Sequence, residues 1–221
     1  NVPGGNAAAV AELAIGFMLA LLRRIPELDA ATKNGRWDRY VGRELAGKSI
    51  GLIGFGAIAQ TVARRLAGFD VDLVAFDPFA DRQAAERLGV RLVDRVADVV
   101  RDVDIVSVHA PHTPDTHHTV DDELIAAMRP GTLLINTSRG GLVDEAALVR
   151  GLASGRIGGG GLDVFEAEPV AADNPLFSYP NVVVAPHAAA DSAEAYERIG
   201  LATAQAIVDV FAGRVPAALA F

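Results

Sequence analysis

The chain has 221 residues, and 51% of them are hydrophobic, which is enough to bury a sizeable core as one large or two small domains. Its formal net charge of −8 at pH 7 argues against nucleic acid or an anionic membrane surface as a partner. The absence of cysteine excludes disulfides and thiolate metal ligands, and it fits a cytoplasmic protein.

The first predicted element is an apolar helix. Asn6 is a candidate N-cap, and the helix is predicted to run to about Arg24. Residues 7–22 are apolar on nearly every face, and Glu12 carries the one charge. This run is shorter than the roughly 20 residues that span a bilayer, and Glu12 interrupts it. We therefore expect a helix that is buried at a domain or subunit interface.

A strand followed by a glycine turn forms the central motif. Residues 49–53 are a short apolar run without helical periodicity, which is typical of a buried strand. Residues 54–59 read Gly-Phe-Gly-Ala-Ile-Ala, the pattern G-x-G-x-x-A. Gly54 permits the tight turn, Gly56 lets the backbone approach a pyrophosphate, and the small Ala59 lets the next helix pack on the strand.

The helix after this turn is predicted to run from Ala57 and Ile58 to about Ala67, and its first N–H groups would face the phosphates. A second apolar strand, 72–76, ends on Asp77, about 20 residues beyond the glycine motif, where an acid meets the adenosine ribose hydroxyls. The alternative is an ordinary βαβ turn. Because strand, glycines, helix, second strand and acid arrive in order, the sequence favours a dinucleotide site.

Strand and helix patterns alternate along the remaining chain. Further strands are predicted at 90–93, 104–108, 132–136, 157–162 and 182–185. Further helices are predicted at 26–34, 81–88, 94–101, 121–128, 144–153 and 191–212, with a polar connecting arm at 36–47. This alternation predicts an α/β fold with a doubly wound parallel sheet that binds its ligand at the carboxyl ends of the strands. The glycine run 158–161 is expected to leave its strand with little to pack.

Three loops at predicted strand ends each carry one polar side chain: Arg139, Glu168 and His187. Taken singly, they could be a surface charge, a solvated carboxylate and a satisfied core histidine. Together at one sheet edge they form a set that hydride transfer needs. Histidine can exchange a proton near neutral pH, and a carboxylate on its other nitrogen fixes the tautomer. Arginine can hold a substrate carboxylate through its forked donors.

These loops, together with Val2-Pro3-Gly4 and the glycine motif, closely resemble the D-isomer-specific 2-hydroxyacid dehydrogenases, which include phosphoglycerate dehydrogenases and glyoxylate/hydroxypyruvate reductases. The resemblance covers essentially the whole chain. It implies a Rossmann domain and an NAD-dependent oxidoreductase that transfers a hydride between nicotinamide and C2 of a D-2-hydroxy or 2-keto acid. It also implies a homodimer. The same resemblance implies that Arg139 binds the substrate, that His187 is the acid/base and that Glu168 is the partner of His187.

The resemblance also implies a set of cofactor-binding positions. In family terms, Pro111 belongs to the loop over the adenosine, Thr137 and Ser138 line the nicotinamide side, and Asp163 lies beside the nicotinamide. Ala59, in place of the third fingerprint glycine, is a common variant. The complete predicted set is Gly54, Gly56, Ala57, Ile58, Asp77, Pro111, Thr116, Thr137, Ser138, Asp163 and Ala189.

The domain organisation is predicted from the same resemblance. The chain begins with Asn rather than Met, and we expect an upstream part that carries most of a substrate domain. Residues 1–190 are predicted to be the NAD-binding domain, with the interface helix at 6–24, and 191–221 a C-terminal helix that returns toward the substrate domain. A chain without the upstream part is expected to bind NAD but to have weak activity or none.

Two alternatives remain. Four histidines in the loop after residue 108 suggest a metal site, but carboxylates at ligand spacing are missing there, and we expect no metal. The second alternative is functional: an NAD-sensing scaffold, like the C-terminal-binding-protein corepressors, resembles this fold and keeps the same three side chains. Turnover of a 2-hydroxy or 2-keto acid would distinguish an enzyme from a scaffold.

Overall fold

The computed structural model describes residues 2–216, and its centre is a parallel sheet. The strands are β1 Ser49–Ile53, β2 Asp72–Phe76, β3 Val90–Leu92, β4 Ile105–Val108, β5 Thr132–Asn136, β6 Ile157–Leu162 and β7 Val182–Val184. They lie in the order β3-β2-β1-β4-β5-β6-β7, and every neighbouring pair is parallel. The predicted doubly wound α/β sheet is therefore confirmed.

Eight α-helices connect and flank these strands in the described residues. They are α1 Ala7–Leu22, α2 Ile25–Lys33, α3 Ala57–Leu66, α4 Arg82–Arg87, α5 Val96–Val100, α6 Asp122–Ala127, α7 Glu145–Ala153 and α8 Ala193–Phe211. Side chains of Asp81, Asp121 and Asp144 accept a hydrogen bond from the first turns of α4, α6 and α7, as N-caps do. The cap of α8 is Ser192 rather than the predicted start at Asp191.

The central strands of the sheet are buried on both faces, which explains why they read as continuous apolar runs. Neighbouring strand residues point to opposite faces, so Leu133 and Ile135 join one core cluster and Leu134 joins the other. The first cluster is covered by α1 and α3, and the second by α5, α6 and α7. Two helical layers therefore fix the strand ends that carry the predicted site.

The apolar helix α1 lies against its own sheet. It contacts α3, β5, β6 and β7, and its buried residues include Ala14, Phe17 and Met18. A Cβ atom added to Gly161 in β6 would lie 2.6 Å from the Cβ of Phe17. The expectation that the glycine run packs poorly is therefore wrong at Gly161, where the helix occupies the space of a side chain, and at Gly158 and Gly159, where a Cβ would lie 2.5 and 2.7 Å from a backbone oxygen. Much of the burial predicted for this helix comes from its own chain.

The last helix, α8, is largely exposed. Ala195 is its one buried residue among those described, and the apolar side chains of Leu201, Val210 and Phe211 are open to solvent. The end of the predicted C-terminal segment, residues 217–221, lies outside the described residues. The connecting arm is irregular, and Trp37 in it is 85% exposed. Within residues 2–216, each helix is too short or too polar to cross a membrane.

Candidate active site

The glycine turn after β1 has the backbone geometry that the motif predicts. Gly54 has φ of +92°, and a Cβ there would lie 2.7 Å from the backbone nitrogen of Ala110. Only glycine meets both demands. Gly56 is the N-cap residue of α3, and a Cβ at Gly56 would meet no atom within 4 Å. The turn therefore leaves open space in front of the helix N-terminus, which fits a pyrophosphate.

Asp77 lies where β2 ends, beside this turn. Its Oδ2 accepts a hydrogen bond from the Phe55 backbone N–H at 2.8 Å, and its Oδ1 accepts one from Phe79 N–H at 2.8 Å. The two bonds fix the carboxylate next to the glycine turn. Each oxygen keeps a lone pair that could accept a ribose hydroxyl, so the residues fit the adenosine half of a dinucleotide.

The loop after β4 is held by its own threonines. Thr116 Oγ1 donates to the carbonyl oxygen of Pro111 at 2.7 Å and accepts from the N–H of Thr113 at 2.7 Å. The hydroxyl hydrogen of Thr116 is thus used within the loop. Its predicted contact with the cofactor stays a prediction, and as placed the hydroxyl could serve there only as an acceptor.

The loop after β5 brings Thr137 and Ser138 to the same edge. Ser138 Oγ donates to the Ala110 carbonyl oxygen at 2.6 Å, which ties this loop to the one after β4. Thr137 is 5% exposed, and its buried hydroxyl oxygen has no partner among the described residues. An unpartnered buried hydroxyl is costly unless a ligand or water meets it, so this position also fits a bound group.

Asp163 organises the turn that presents His187. It is 1% exposed, and its Oδ1 and Oδ2 accept hydrogen bonds from Ala188 N–H and Ala189 N–H, both at 2.8 Å. Its carbonyl oxygen accepts from His187 N–H at 2.7 Å. His187 has φ of +56°, a region that a residue with a side chain enters at a cost. The three bonds offset this cost, a role that the sequence did not indicate for Asp163.

His187 and Glu168 form the predicted pair. His187 Nδ1 lies 2.6 Å from Glu168 Oε2, and Glu168 Oε1 accepts from the Phe165 backbone N–H at 3.0 Å. Burial raises the pKa of Glu168, but the hydrogen bonds from His187 and Phe165 and the charges of His187 and Arg139 bring the pKa below its ordinary value. The carboxylate is therefore ionised at neutral pH.

Arg139 is exposed in the same cleft. Its Nη1 donates to the Ser138 carbonyl oxygen at 2.6 Å, and Asn136 Nδ2 donates to the Arg139 carbonyl at 3.0 Å. A Cβ on the next residue, Gly140, would lie 1.8 Å from the carbonyl oxygen of Phe165. That glycine lets the loops after β5 and β6 meet, and together they line a cleft of about 540 Å³ that contains all three predicted catalytic residues.

Further polar residues at this edge were not assigned a role from sequence. His109 Nε2 lies 2.9 Å from Ser107 Oγ, and burial lowers the pKa of His109 to about 4, so this imidazole is neutral at pH 7. His112, His117 and His118 line the same cleft as Arg139. Among the described residues, no three His, Cys, Asp or Glu side chains are placed to hold a metal ion. The number of histidines in the loop after β4 was the one feature of the sequence that pointed to these residues.

This arrangement defines a class of protein: a dinucleotide-binding Rossmann domain with a hydrogen-bonded histidine–glutamate pair and an arginine at the carboxyl edge of its sheet. Residues 15–189 match the family model described as D-isomer specific 2-hydroxyacid dehydrogenase, NAD binding domain. The chain belongs to this family. The predicted family, fold and cofactor are thereby confirmed, while the individual site residues keep the status of predictions.

Two curated relatives and one solved structure illustrate the similarity. A D-3-phosphoglycerate dehydrogenase of Archaeoglobus fulgidus is 40% identical over 96% of this chain and 41% of its own length. A hydroxypyruvate reductase of Thermotoga maritima is 42% identical over 91% of this chain and 66% of its own length. The D-lactate dehydrogenase of Lactobacillus jensenii with NAD+ superposes with a TM-score of 0.89 at 26% identity, over 97% of this chain and 69% of that one. The chain thus spans about 41% of the length of the phosphoglycerate dehydrogenase.

Proposed function

We propose that this chain supplies the cofactor-binding part of an NAD-dependent oxidoreductase that interconverts a D-2-hydroxy acid and its 2-keto acid. One observation carries the proposal: His187 and Glu168 are hydrogen-bonded at 2.6 Å in the cleft that also contains Arg139. The substrate class follows from this set, because an acid/base beside an exposed guanidinium suits a small carboxylate with a neighbouring hydroxyl or carbonyl.

The three side chains would divide the chemistry as follows. A bound NAD(H) would supply the hydride chemistry at C2 of the substrate. Arg139 holds the substrate carboxylate through its forked donors. His187 takes the hydroxyl proton during oxidation and returns a proton to the carbonyl oxygen during reduction. Because Glu168 occupies Nδ1 of His187, the proton moves through Nε2, and the carboxylate stabilises the imidazolium that forms.

The test is turnover together with cofactor binding. D-glycerate, D-lactate and hydroxypyruvate are assayed with NAD(H) and the full-length protein, as wild type and as the variant His187→Gln, because weak activity or none is expected of this chain without an upstream part. We expect kcat to fall about 10²- to 10⁴-fold in the variant, while NADH binding persists, since the imidazole acts on the substrate proton. A wild-type protein that binds NADH but turns over none of these acids would instead support the scaffold alternative.

The preference between cofactors should depend on Asp77. Its carboxylate would accept the ribose hydroxyls and repel a 2′-phosphate. We expect NADH to bind at least about tenfold more tightly than NADPH, a difference of about 1.4 kcal/mol. In Asp77→Ser the difference should shrink. Equal affinities in the wild-type protein would show that this carboxylate does not read the ribose.

We also propose that the protein forms a two-fold homodimer, that it is located in the cytoplasm, and that it has no nucleic-acid partner. Support for the dimer comes from the family and from apolar side chains such as Trp37 and Phe211, which are 85% and 89% exposed in the single chain. The net charge of −8 supports the absence of a nucleic-acid partner. Sedimentation equilibrium at micromolar concentration tests the dimer, and a stable monomer would contradict it. Cell fractionation tests the location.

A further inference from the structure

The turn that carries Glu168 lies on the surface, in the loop after β6. Phe165 at its start is buried and packs edge-on against the ring of Phe177, with ring centroids 5.9 Å apart, whereas residues 166–169 are exposed. An exposed loop holds its shape only where hydrogen bonds or close packing fix it. The placement of the Glu168 carboxylate against His187 therefore depends on the contacts that hold this turn.

Glu145, the first residue of α7, holds the loop on both sides of Glu168. Its Oε1 accepts a hydrogen bond from the Glu166 backbone N–H at 2.7 Å, and its Oε2 accepts one from Asn174 Nδ2 at 2.9 Å. The Asn174 side chain also accepts from the Leu176 backbone N–H at 2.9 Å, so both ends of its amide are used. One carboxylate thus ties a helix to two points of the loop.

The same turn is also held from the loops after β4 and β5. A Cβ on Gly140 would lie 1.8 Å from the Phe165 carbonyl oxygen and 2.5 Å from the Glu166 backbone nitrogen, so the two loops touch there. Glu166 Oε1 lies 2.6 Å from His118 Nε2, and it accepts from the Glu145 backbone N–H at 3.4 Å. The position of the turn is therefore set by its neighbours rather than by the turn itself.

The location of Glu145 at a helix N-terminus explains why a carboxylate suits this task. It lies in the first turn of α7, directly after the N-cap Asp144, where the helix dipole favours a negative charge. Both of its oxygens face donors. An amide at position 145 could accept only one of the two bonds, because its NH2 group would face the other donor.

We propose that Glu145 is a positioning residue, which holds the turn so that Glu168 meets His187 Nδ1 at 2.6 Å. The inference rests on the proposed function, because the proton transfer that depends on this pair belongs to His187. Glu145 is not among the described residues that line the cleft, so its effect would pass through Glu168. The glycine turn and Asp77 belong to other strand ends, so cofactor binding should not depend on Glu145.

The first test compares Glu145→Gln with Glu123→Gln in the full-length protein. Glu123 is an exposed acid in the first turn of α6, so the control removes the same charge from a comparable helix position. We expect kcat to fall about tenfold in Glu145→Gln, while the affinity for NADH is unchanged, since a displaced catalytic group slows the chemical step. Both values should be retained in the control. Urea denaturation verifies that both variants are folded, and an unchanged kcat in folded Glu145→Gln would overturn the proposal.

A double-mutant cycle tests whether the effect passes through Glu168. The variant Glu168→Gln already lacks the carboxylate that Glu145 is proposed to position. In that background Glu145→Gln should lower kcat by less than about twofold, because two residues that act as one unit are not additive. An equal loss of kcat in both backgrounds would mean that Glu145 acts by another route and would overturn the proposal.

A rescue variant tests the bond between Glu145 and Asn174. In Glu145→Gln/Asn174→Asp the donor and the acceptor exchange places, and the net charge is that of the wild type. The second carboxylate oxygen at position 174 can still accept from the Leu176 N–H. This double variant should recover most of the kcat lost in Glu145→Gln. A double variant as slow as Glu145→Gln would overturn the role proposed for this bond.

A spectroscopic measurement separates this inference from the proposed function. The proton between His187 Nδ1 and Glu168 should give a low-field ¹H NMR resonance, identified by its loss in His187→Gln. We expect Glu145→Gln to move this resonance upfield and Glu123→Gln to leave it in place, whether or not any acid is turned over. A resonance that is unchanged in Glu145→Gln would overturn the positioning role, whereas absence of turnover alone would count against the proposed function.

Discussion

At the residue scale, Asp163 connects the backbone of the site to its chemistry. Its buried carboxylate accepts two backbone N–H groups of the turn in which His187 has positive φ. Asparagine has one acceptor oxygen, so Asp163→Asn leaves one of these N–H groups facing an amide NH2. We expect the free energy of unfolding to fall by about 1–3 kcal/mol. Urea denaturation checks this, with Asp173→Asn on the exposed part of the same loop as the control. An unchanged midpoint in Asp163→Asn would mean that the turn does not depend on the carboxylate.

The Glu168–His187 pair should make stability depend on pH in the acid range. The folded-state pKa of Glu168 lies below its ordinary value of 4.5, so the pair contributes stability above that value and loses it as pH falls through the lowered pKa. The side chain of Glu168 is 35% exposed, and solvent screening limits the contribution to under about 1 kcal/mol. Unfolding free energies of the wild type and Glu168→Gln should therefore converge between pH 6 and pH 3. A difference that stays constant over this range would show that the pair is energetically silent.

The sequence predicted which side chains meet but not how they are held. Arg139, Glu168 and His187 could be grouped because parallel strands place their carboxyl ends at one edge. The hydrogen bonds of Asp163 could not be predicted, since they depend on the backbone path of the turn after β7, which has no periodic sequence pattern. The proximity of His112 to His117 could not be predicted either, because the hydrogen bonds of Thr116 determine the path of the loop that carries both histidines.

At the scale of elements, β6 and α1 are matched to each other. Gly161 faces Phe17 of the helix, whereas a Cβ on Gly160 would have its nearest neighbour at 3.7 Å, an ordinary contact. Gly161→Ala should therefore destabilise the fold by about 1–3 kcal/mol through overpacking, and Gly160→Ala should have little effect. Thermal or urea unfolding of the two variants measures this. Equal stability of the two variants would mean that the helix does not pack on this strand as described.

For some of the strands, the sequence pattern alone is enough to predict where the element begins and ends. The bounds of β1, β2, β5 and β6 match the predicted ranges, because each is a short apolar run bounded by turn residues or charges. The placement of α1 did not follow from its composition. A helix that is apolar on nearly every face can pack on its own sheet or on a partner, and only the tertiary structure shows that glycines in β6 receive it.

At the scale of the whole molecule, a seven-stranded sheet collects a glycine turn, an acid and three catalytic candidates at one edge. The opposite edge carries the short turns that return the chain. This division lets binding and stability be tested separately, because a residue at the carboxyl edge can face the cofactor without supporting the core.

Gly56 offers the most direct test of the central claim that this edge binds NAD(H). A Cβ there would meet no protein atom within 4 Å, and φ of −76° suits any residue, so Gly56→Val should fold with unchanged stability. Its side chain would occupy the space left for the pyrophosphate. Fluorescence titration with NADH, using Gly68→Val as the control at another exposed, open glycine, is the measurement. We predict that NADH affinity falls at least about tenfold in Gly56→Val and is retained in Gly68→Val. Wild-type affinity for NADH in a folded Gly56→Val variant would contradict the account.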